Sequence, residues 1–190
     1  SVEQIGQVMR ELLTTDQPCE ARTDLKIIHA LRERFNPAVT QTLQSVVQEC
    51  FDRRRILELV RQVIKAETKE RRMILQMFNA LHLTEASTAL AKVVGWNLTD
   101  EGRQDIIRYL RERARFGFEF LEESILEIPA EVADPIFEIL QEGMPRSRSV
   151  LLKVLQDPET EPVLKAKALQ ILRGTWKDVT QVRALVVPLV

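Results

Sequence analysis

The sequence predicts an all-α protein built as an array of helical pairs, an α-solenoid. Apolar residues recur at helical spacing along almost the whole chain. The 190 residues include only 6 Gly, and aromatic residues make up 5%, a balance that favours helices over sheets. One apolar pattern also returns at a nearly constant interval in the C-terminal two thirds. A two-helix unit cannot bury its apolar face alone, so repetition is expected.

Irregular helices are predicted for residues 1–54, over 2–13, 20–35 and 38–51. Asn36 and Pro37 form a break, with Asn36 as the expected N-cap and Pro37 at the first helical position. The sequence leaves open whether residues 36–54 form a repeat helix or an insertion.

Regular helices are predicted from residue 55 onwards. Thr68 is expected to cap the second of them, and Thr99 or Asp100 the fourth. Pro129 is expected to open a helix, and Gly143 lies where that helix should end. The predicted ranges are 56–66, 69–82, 84–94, 101–115, 118–127 and 130–141.

The clearest pair lies between Arg146 and Gly174. Pro162 suits the first turn of its second helix, and Gly174 is expected to stop that helix. Its two apolar faces are Val150, Leu151, Val154 and Leu155, then Leu164, Ala168, Ile171 and Leu172. Residues 175–190 look like the start of a further repeat. Their apolar end lacks the polar cap of a finished array, so we expect the natural protein to continue.

The second helices of successive pairs share a pattern at offsets 0, 3, 6 and 7. The matching sets are Arg71, Ile74, Met77 and Phe78; Arg103, Ile106, Tyr109 and Leu110; Ala133, Ile136, Ile139 and Leu140; and Lys165, Ala168, Ile171 and Leu172. Their first members are 32, 30 and 32 residues apart. A period near 30 with two helices per unit predicts a solenoid.

At these positions the chain resembles the bacterial HEAT-like repeats. Residues 164–172, preceded by Asp157 and Pro158, match their second helix best, and residues 102–110 and 132–140 follow it less fully. The resemblance implies a right-handed α-solenoid of about five HEAT-like helical pairs. The expected organisation is one domain over 1–190, with repeats at 55–174, as part of a longer protein. An irregular helical bundle is the alternative.

Composition bears on the function class. The formal net charge of −1 argues against non-specific attraction to nucleic acid, and no apolar run approaches the roughly 18 residues of a membrane span. His29 and His82 have no partner at metal-ligand spacing, and Gly never clusters into a phosphate loop. We therefore expect no catalytic residue, metal or cofactor. Cys50, which follows an apolar helix face, is expected to be buried, and a cytoplasmic location fits best.

Charge is distributed unevenly along the repeats. Residues 117–145 hold eight acids and no Lys or Arg, whereas residues 52–72 hold eight Lys or Arg against four acids. In HEAT-like solenoids the second helices line the concave face. Removing the core positions leaves twelve outward residues as the expected partner-binding site: Arg72, Gln76, Asn79, Arg108, Arg111, Arg115, Asp134, Glu138, Glu142, Lys167, Gln170 and Arg173.

This face would be striped basic, basic, acidic, basic. Either neighbouring ridges pair with each other, or the stripes select a partner of complementary charge. Under the second hypothesis, reversing Arg108 and Arg111 to Glu should abolish capture of the partner without unfolding the chain.

The predicted function is therefore a non-enzymatic scaffold or adaptor that binds another protein or peptide. A DNA-binding protein similar to the HEAT-like glycosylases is the alternative, with the basic residues on phosphates and Trp96 or Trp176 stacking on bases. Against it, the acidic ridge crosses the groove, and both Trp residues lie in predicted turns, where they are expected to pack. HEAT-like lyase subunits that attach tetrapyrroles are a third resemblance, which no residue singles out.

Overall fold

The computed structural model describes residues 51–96 and 98–175, and all regular secondary structure within these ranges is helical. Its eight α-helices are α1 Arg53–Lys65, α2 Thr68–Leu81, α3 Thr84–Val93, α4 Asp100–Ala114, α5 Glu119–Ser124, α6 Asp134–Glu142, α7 Arg148–Gln156 and α8 Pro162–Thr175. The predictions for residues 1–50 and 176–190, which include those for His29, Cys50 and Trp176, lie outside the described residues.

Local sequence chemistry sets several helix ends. Thr99 caps α4 by accepting a hydrogen bond from the Gly102 amide at 3.1 Å, which confirms one of the two predicted caps. Asp52 caps α1 in the same way, accepting from the Arg55 amide at 2.8 Å. Pro162 is the first residue of α8, as predicted.

Two predicted helix ends are wrong. Thr68 does not cap α2, because Glu67 occupies the N-cap and Thr68 is the first helical residue. The Thr68 hydroxyl instead donates to Glu101 Oε2 at 2.8 Å, so it links α2 to α4. Gly174 does not stop α8 either, since that helix continues to Thr175.

The segment between α5 and α6 also differs from the prediction of two long helices over 118–127 and 130–141. It contains two short 3₁₀ helices, Ile125–Glu127 and Ala130–Val132. Ile128 is extended, as expected for a residue before a proline. Helix α6 starts only at Asp134, which places Pro135 in its first turn, where no backbone donor is needed. A helix from Ala130 would have carried Pro135 in its interior.

The helices pack mainly against near neighbours in the sequence. Sequential packing joins α1 to α2, α3 to α4 and α7 to α8. Contacts also run between alternate helices: α1 to α3, α3 to α5 and α5 to α7, and likewise α2 to α4, α4 to α6 and α6 to α8. The odd-numbered helices therefore contact one another in succession, and so do the even-numbered ones.

One connected apolar core runs through these helices. The repeat positions contribute to it as predicted: Ile74, Phe78, Ile106, Leu110, Ile136, Leu140, Ala168 and Leu172 are all buried. Ile171 is only half-buried. On α7, Val150, Leu151, Val154 and Leu155 are buried, which confirms the predicted apolar face. The core thus fixes which side of each even-numbered helix faces solvent.

Candidate functional site

The even-numbered helices present one set of polar side chains, called here the second-helix surface. It comprises the twelve predicted outward residues: Arg72, Gln76 and Asn79 on α2; Arg108, Arg111 and Arg115 at α4; Asp134, Glu138 and Glu142 on α6; and Lys167, Gln170 and Arg173 on α8. All are exposed except Asn79 and Lys167, which are half-buried. Their binding of a partner stays a prediction.

Ion pairs between neighbouring helices cross this surface. Arg111 on α4 contacts Glu142 at 3.1 Å and Glu138 at 3.4 Å, both on α6. Lys167 on α8 pairs with Asp134 on α6. The acidic ridge is therefore neutralised in part by the basic residues on either side of it. Such exposed pairs contribute about 0–1 kcal/mol each to stability.

Other cations of the second-helix surface remain available. Arg115 and Arg173 are exposed, and neither side chain pairs with a described residue. Arg108 is 63% exposed, and within the described part of the chain its only ion-pair partner is Asp105, at 3.8 Å, a carboxylate that two other arginines already contact. These three cations, rather than Arg111 or Lys167, can form new ion pairs at little cost.

A buried ion pair joins α2 to α4 beneath this surface. Arg71 Nε donates to Asp105 Oδ2 at 3.1 Å, and the two side chains are 6% and 2% exposed. Arg72 Nε donates to the other carboxylate oxygen at 2.9 Å. Arg71 Nη1 also donates to the Ala66 carbonyl at 2.9 Å. These bonds satisfy both oxygens of a carboxylate that burial alone would destabilise.

The pKa of Asp105 reflects this competition. Burial raises the pKa of the carboxyl, but the hydrogen bonds from Arg72 and Arg71, together with their charges, outweigh it and hold the pKa below its ordinary value of 3.8. Asp105 is therefore ionised at neutral pH and bridges two helices. Sequence periodicity alone does not reveal this pair, because a single Asp within a charged helix is usually exposed. One feature of the sequence points to a buried Arg71: this residue is the first member of a repeat set whose other members are core residues.

A neutral polar contact links α3 to α4. Ser87 Oγ and Tyr109 Oη lie 2.7 Å apart, and Phe78 packs edge-on against the Tyr109 ring at 6.5 Å between centroids. Burial raises the pKa of Tyr109 to about 12. The hydrogen bond with Ser87 and the charge of Arg113 lower this pKa, but by less than burial raises it. Tyr109 is therefore protonated at neutral pH and packs against α2 and α3.

Trp96 and His82 are the other candidate functional residues within the described part of the chain. Trp96 was expected to pack in a turn, but its side chain is 57% exposed, so that expectation is wrong. His82 is the C-cap of α2 with φ of 54°, and its ring packs against Phe116. Among the described residues no group of three or more His, Cys, Asp or Glu could hold a metal ion.

Comparisons with protein-family models, with curated proteins and with solved structures found no match for this chain. No family assignment therefore stands beside the all-α fold, and the resemblance to HEAT-like repeats stays a prediction. Within residues 51–96 and 98–175 no helix is both long and apolar enough to cross a bilayer.

Proposed function

We propose that the chain is a non-enzymatic interaction scaffold, a right-handed α-solenoid of HEAT-like pairs that binds a partner protein on its second-helix surface. One observation carries this proposal: α2, α4, α6 and α8 contact one another in succession and turn polar side chains to solvent. Arrays of this kind offer extended surfaces for binding and need no catalytic group.

The charge pattern indicates which residues meet the partner. Arg111 and Lys167 are already paired across the surface, so partner contacts fall to Arg108, Arg115 and Arg173. Exposed cations at the rim of an interface mainly raise the association rate and reject wrongly charged partners. The favoured partner therefore carries acidic side chains.

Capture from cell lysate tests the proposal with two matched charge reversals. Arg115→Glu with Arg173→Glu changes the second-helix surface, whereas Arg53→Glu with Arg61→Glu changes exposed arginines on α1. We expect the first pair to lose the captured protein and the second pair to retain it, with both variants folded by circular dichroism. Equal capture by both would reject the second-helix surface as the binding site.

Arg111 is less suitable for this test than the sequence suggested. Reversing it would set a third carboxylate beside Glu138 and Glu142. A loss of capture could then come from repulsion inside the chain rather than from a lost partner contact.

DNA binding is the second candidate, and the exposure of Trp96 favours it, because an exposed indole can stack on a base. The ion pairs of Arg72, Arg111 and Lys167 oppose it, since they occupy cations that would otherwise meet phosphates. A gel shift at two salt concentrations decides between the two functions: tight binding that falls steeply with salt favours DNA.

A further inference from the structure

An exposed aromatic ring lies just beyond the C-terminal end of α4. Phe116 is 62% exposed, although its ring contacts two other side chains. The His82 ring packs on it at 4.7 Å between centroids, and the Arg113 guanidinium lies 5.5 Å from the ring centroid. Phe116 is thus held in place from within while much of its surface stays open to solvent.

Arg113 is the unusual member of this group. The residue is only 7% exposed, yet its Nε and Nη1 atoms have no hydrogen-bond partner in the described structure. A buried cation without an ion pair is costly, and the face of one phenyl ring offsets this only in part. The Nε–H and Nη1–H bonds of Arg113 lie on opposite sides of its guanidinium, so each can donate to a separate acceptor oxygen.

Two exposed arginines, Arg115 and Arg146, meet at the residue before Phe116. Arg146 Nη1 donates to the backbone carbonyl of Arg115 at 3.0 Å, which ties the segment after α6 to the end of α4. The guanidinium of Arg146 also lies 5.9 Å from the Phe118 ring centroid. The Phe116 cluster is defined here as His82, Arg113, Arg115, Phe116 and Arg146. It combines an apolar face with three cations.

Nearby acids limit what can bind there. The Glu119 carboxylate lies against Gly117, the residue after Phe116, and Glu112 on α4 accepts a hydrogen bond from Asn79 at 3.1 Å. A nucleic acid would bring a continuous row of phosphates past these carboxylates. A peptide can place a single carboxylate on the arginines and an apolar side chain on Phe116.

We propose that the Phe116 cluster anchors a short segment of a partner protein in which an acidic residue neighbours an apolar one. The apolar side chain packs on Phe116, and the carboxylate pairs with Arg115 and Arg146 at the surface. This inference rests on the proposed scaffold function and names the partner chemistry at one end of α4.

The test uses capped tripeptides as probes against the 190-residue chain. Glu-Leu-Glu carries both required features, and Gln-Leu-Gln keeps the shape without the charge. The amide of Phe116 and the Nε–H of Arg113 are followed by nuclear magnetic resonance. We expect saturable shifts of both signals with Glu-Leu-Glu, and an affinity at least about tenfold weaker for Gln-Leu-Gln.

Variants of single residues test which side chains of the Phe116 cluster bind the tripeptide. Phe116→Ala and Arg146→Glu alter exposed side chains, so the fold should persist, and each should weaken Glu-Leu-Glu binding at least about tenfold. Arg113→Lys keeps the charge but loses the planar group over the Phe116 ring and should weaken binding by a smaller factor. Arg53→Glu on α1 is the matched control and should bind as the wild type does.

Several results would overturn the inference. These are no saturable shift with Glu-Leu-Glu, equal binding of both tripeptides, or unchanged binding by Phe116→Ala. Tighter binding of a short oligothymidylate than of Glu-Leu-Glu would identify a nucleic-acid surface instead. Loss of lysate capture in Arg115→Glu with Arg173→Glu, but not in Phe116→Ala, would reject this anchor and leave the scaffold function standing.

Discussion

At the scale of single residues, Asp105 connects charge to packing most directly. Its carboxylate is almost completely buried and accepts hydrogen bonds from Arg71 and Arg72, two residues of the preceding even-numbered helix. A buried pair of this kind adds little stability compared with apolar packing, but removing one partner leaves the other charge uncompensated. Asp105 therefore sets the relative position of α2 and α4.

Asp105→Ala should lower the free energy of unfolding by about 3–5 kcal/mol, because the buried Arg71 then keeps only the exposed and more distant Glu101 carboxylate, at 3.9 Å. Urea denaturation measures this. Arg54→Ala, which removes an exposed pair with Glu58 on α1, is the control and should cost less than about 1 kcal/mol. A double change of Arg71→Met with Asp105→Leu should recover much of the loss. A cost for Asp105→Ala as small as the control would contradict the buried pair.

The lowered pKa of Asp105 predicts a dependence of stability on pH. Because the folded-state pKa lies below the ordinary value of 3.8, the ionised carboxylate stabilises the folded chain. That contribution is complete above about pH 4 and is lost as the pH falls through the folded-state value. Wild type should therefore lose more stability below pH 4 than Asp105→Asn does, as measured by urea denaturation at several pH values. Parallel pH profiles would show that Asp105 does not contribute.

At the scale of elements, glycine and proline determine where helices end and how closely they approach. Helix α6 ends before Gly143, and a Cβ atom at that position would lie 2.0 Å from Cζ of the buried Phe118 ring. Gly174, inside α8, has no atom of another described residue within 4 Å of such a Cβ, apart from its own helix backbone and chain neighbours. These two glycines near helix ends thus have opposite surroundings.

Gly143→Ala should destabilise the chain by about 1–3 kcal/mol, because the methyl group displaces Phe118. Gly174→Ala should instead stabilise it by up to about 1 kcal/mol, since alanine favours the helix and meets nothing. Thermal denaturation compares the two. Phe118→Leu should reduce the cost of Gly143→Ala by making room. Equal effects of the two alanines would contradict the close approach of Gly143 to Phe118.

Much of the helical fold could be predicted from the sequence, because the apolar spacing of α2, α4 and α8 follows directly from which face is buried. The interruption between α5 and α6 could not be predicted from that spacing, since apolar residues continue through it. Pro129 and Pro135 decide it through backbone sterics. The start of α2 differs from the prediction by one residue, because neighbouring polar residues there compete for the N-cap.

The candidate site was predictable only in part. Exposure of the second-helix surface follows from the same periodicity that predicts the core. The partners of Arg111 and Lys167 depend on the axial offset between neighbouring helices, which a single sequence does not specify. The Phe116 cluster was missed because it joins three separate segments, at His82, Arg113–Phe116 and Arg146.

At the scale of the whole molecule, packing between near neighbours is what distinguishes a linear array of helices from a bundle. Helix α7 contacts α5, α6 and α8, while α1 contacts α2 and α3. In a linear array, stability is a sum of local terms, and damage at one end opens that end first. In a bundle around a common centre, the same damage would weaken every helix together.

Hydrogen exchange of Leu151→Ala tests this proposal most directly. Leu151 on α7 is fully buried, so its truncation should cost about 2–5 kcal/mol. The linear array predicts faster exchange in α7, α8 and the adjoining α5 and α6, with protection of α1 and α2 unchanged. If the amides of α1 and α2 lost protection as far as those of α8, the helices would share one centre, and the proposed solenoid would be wrong.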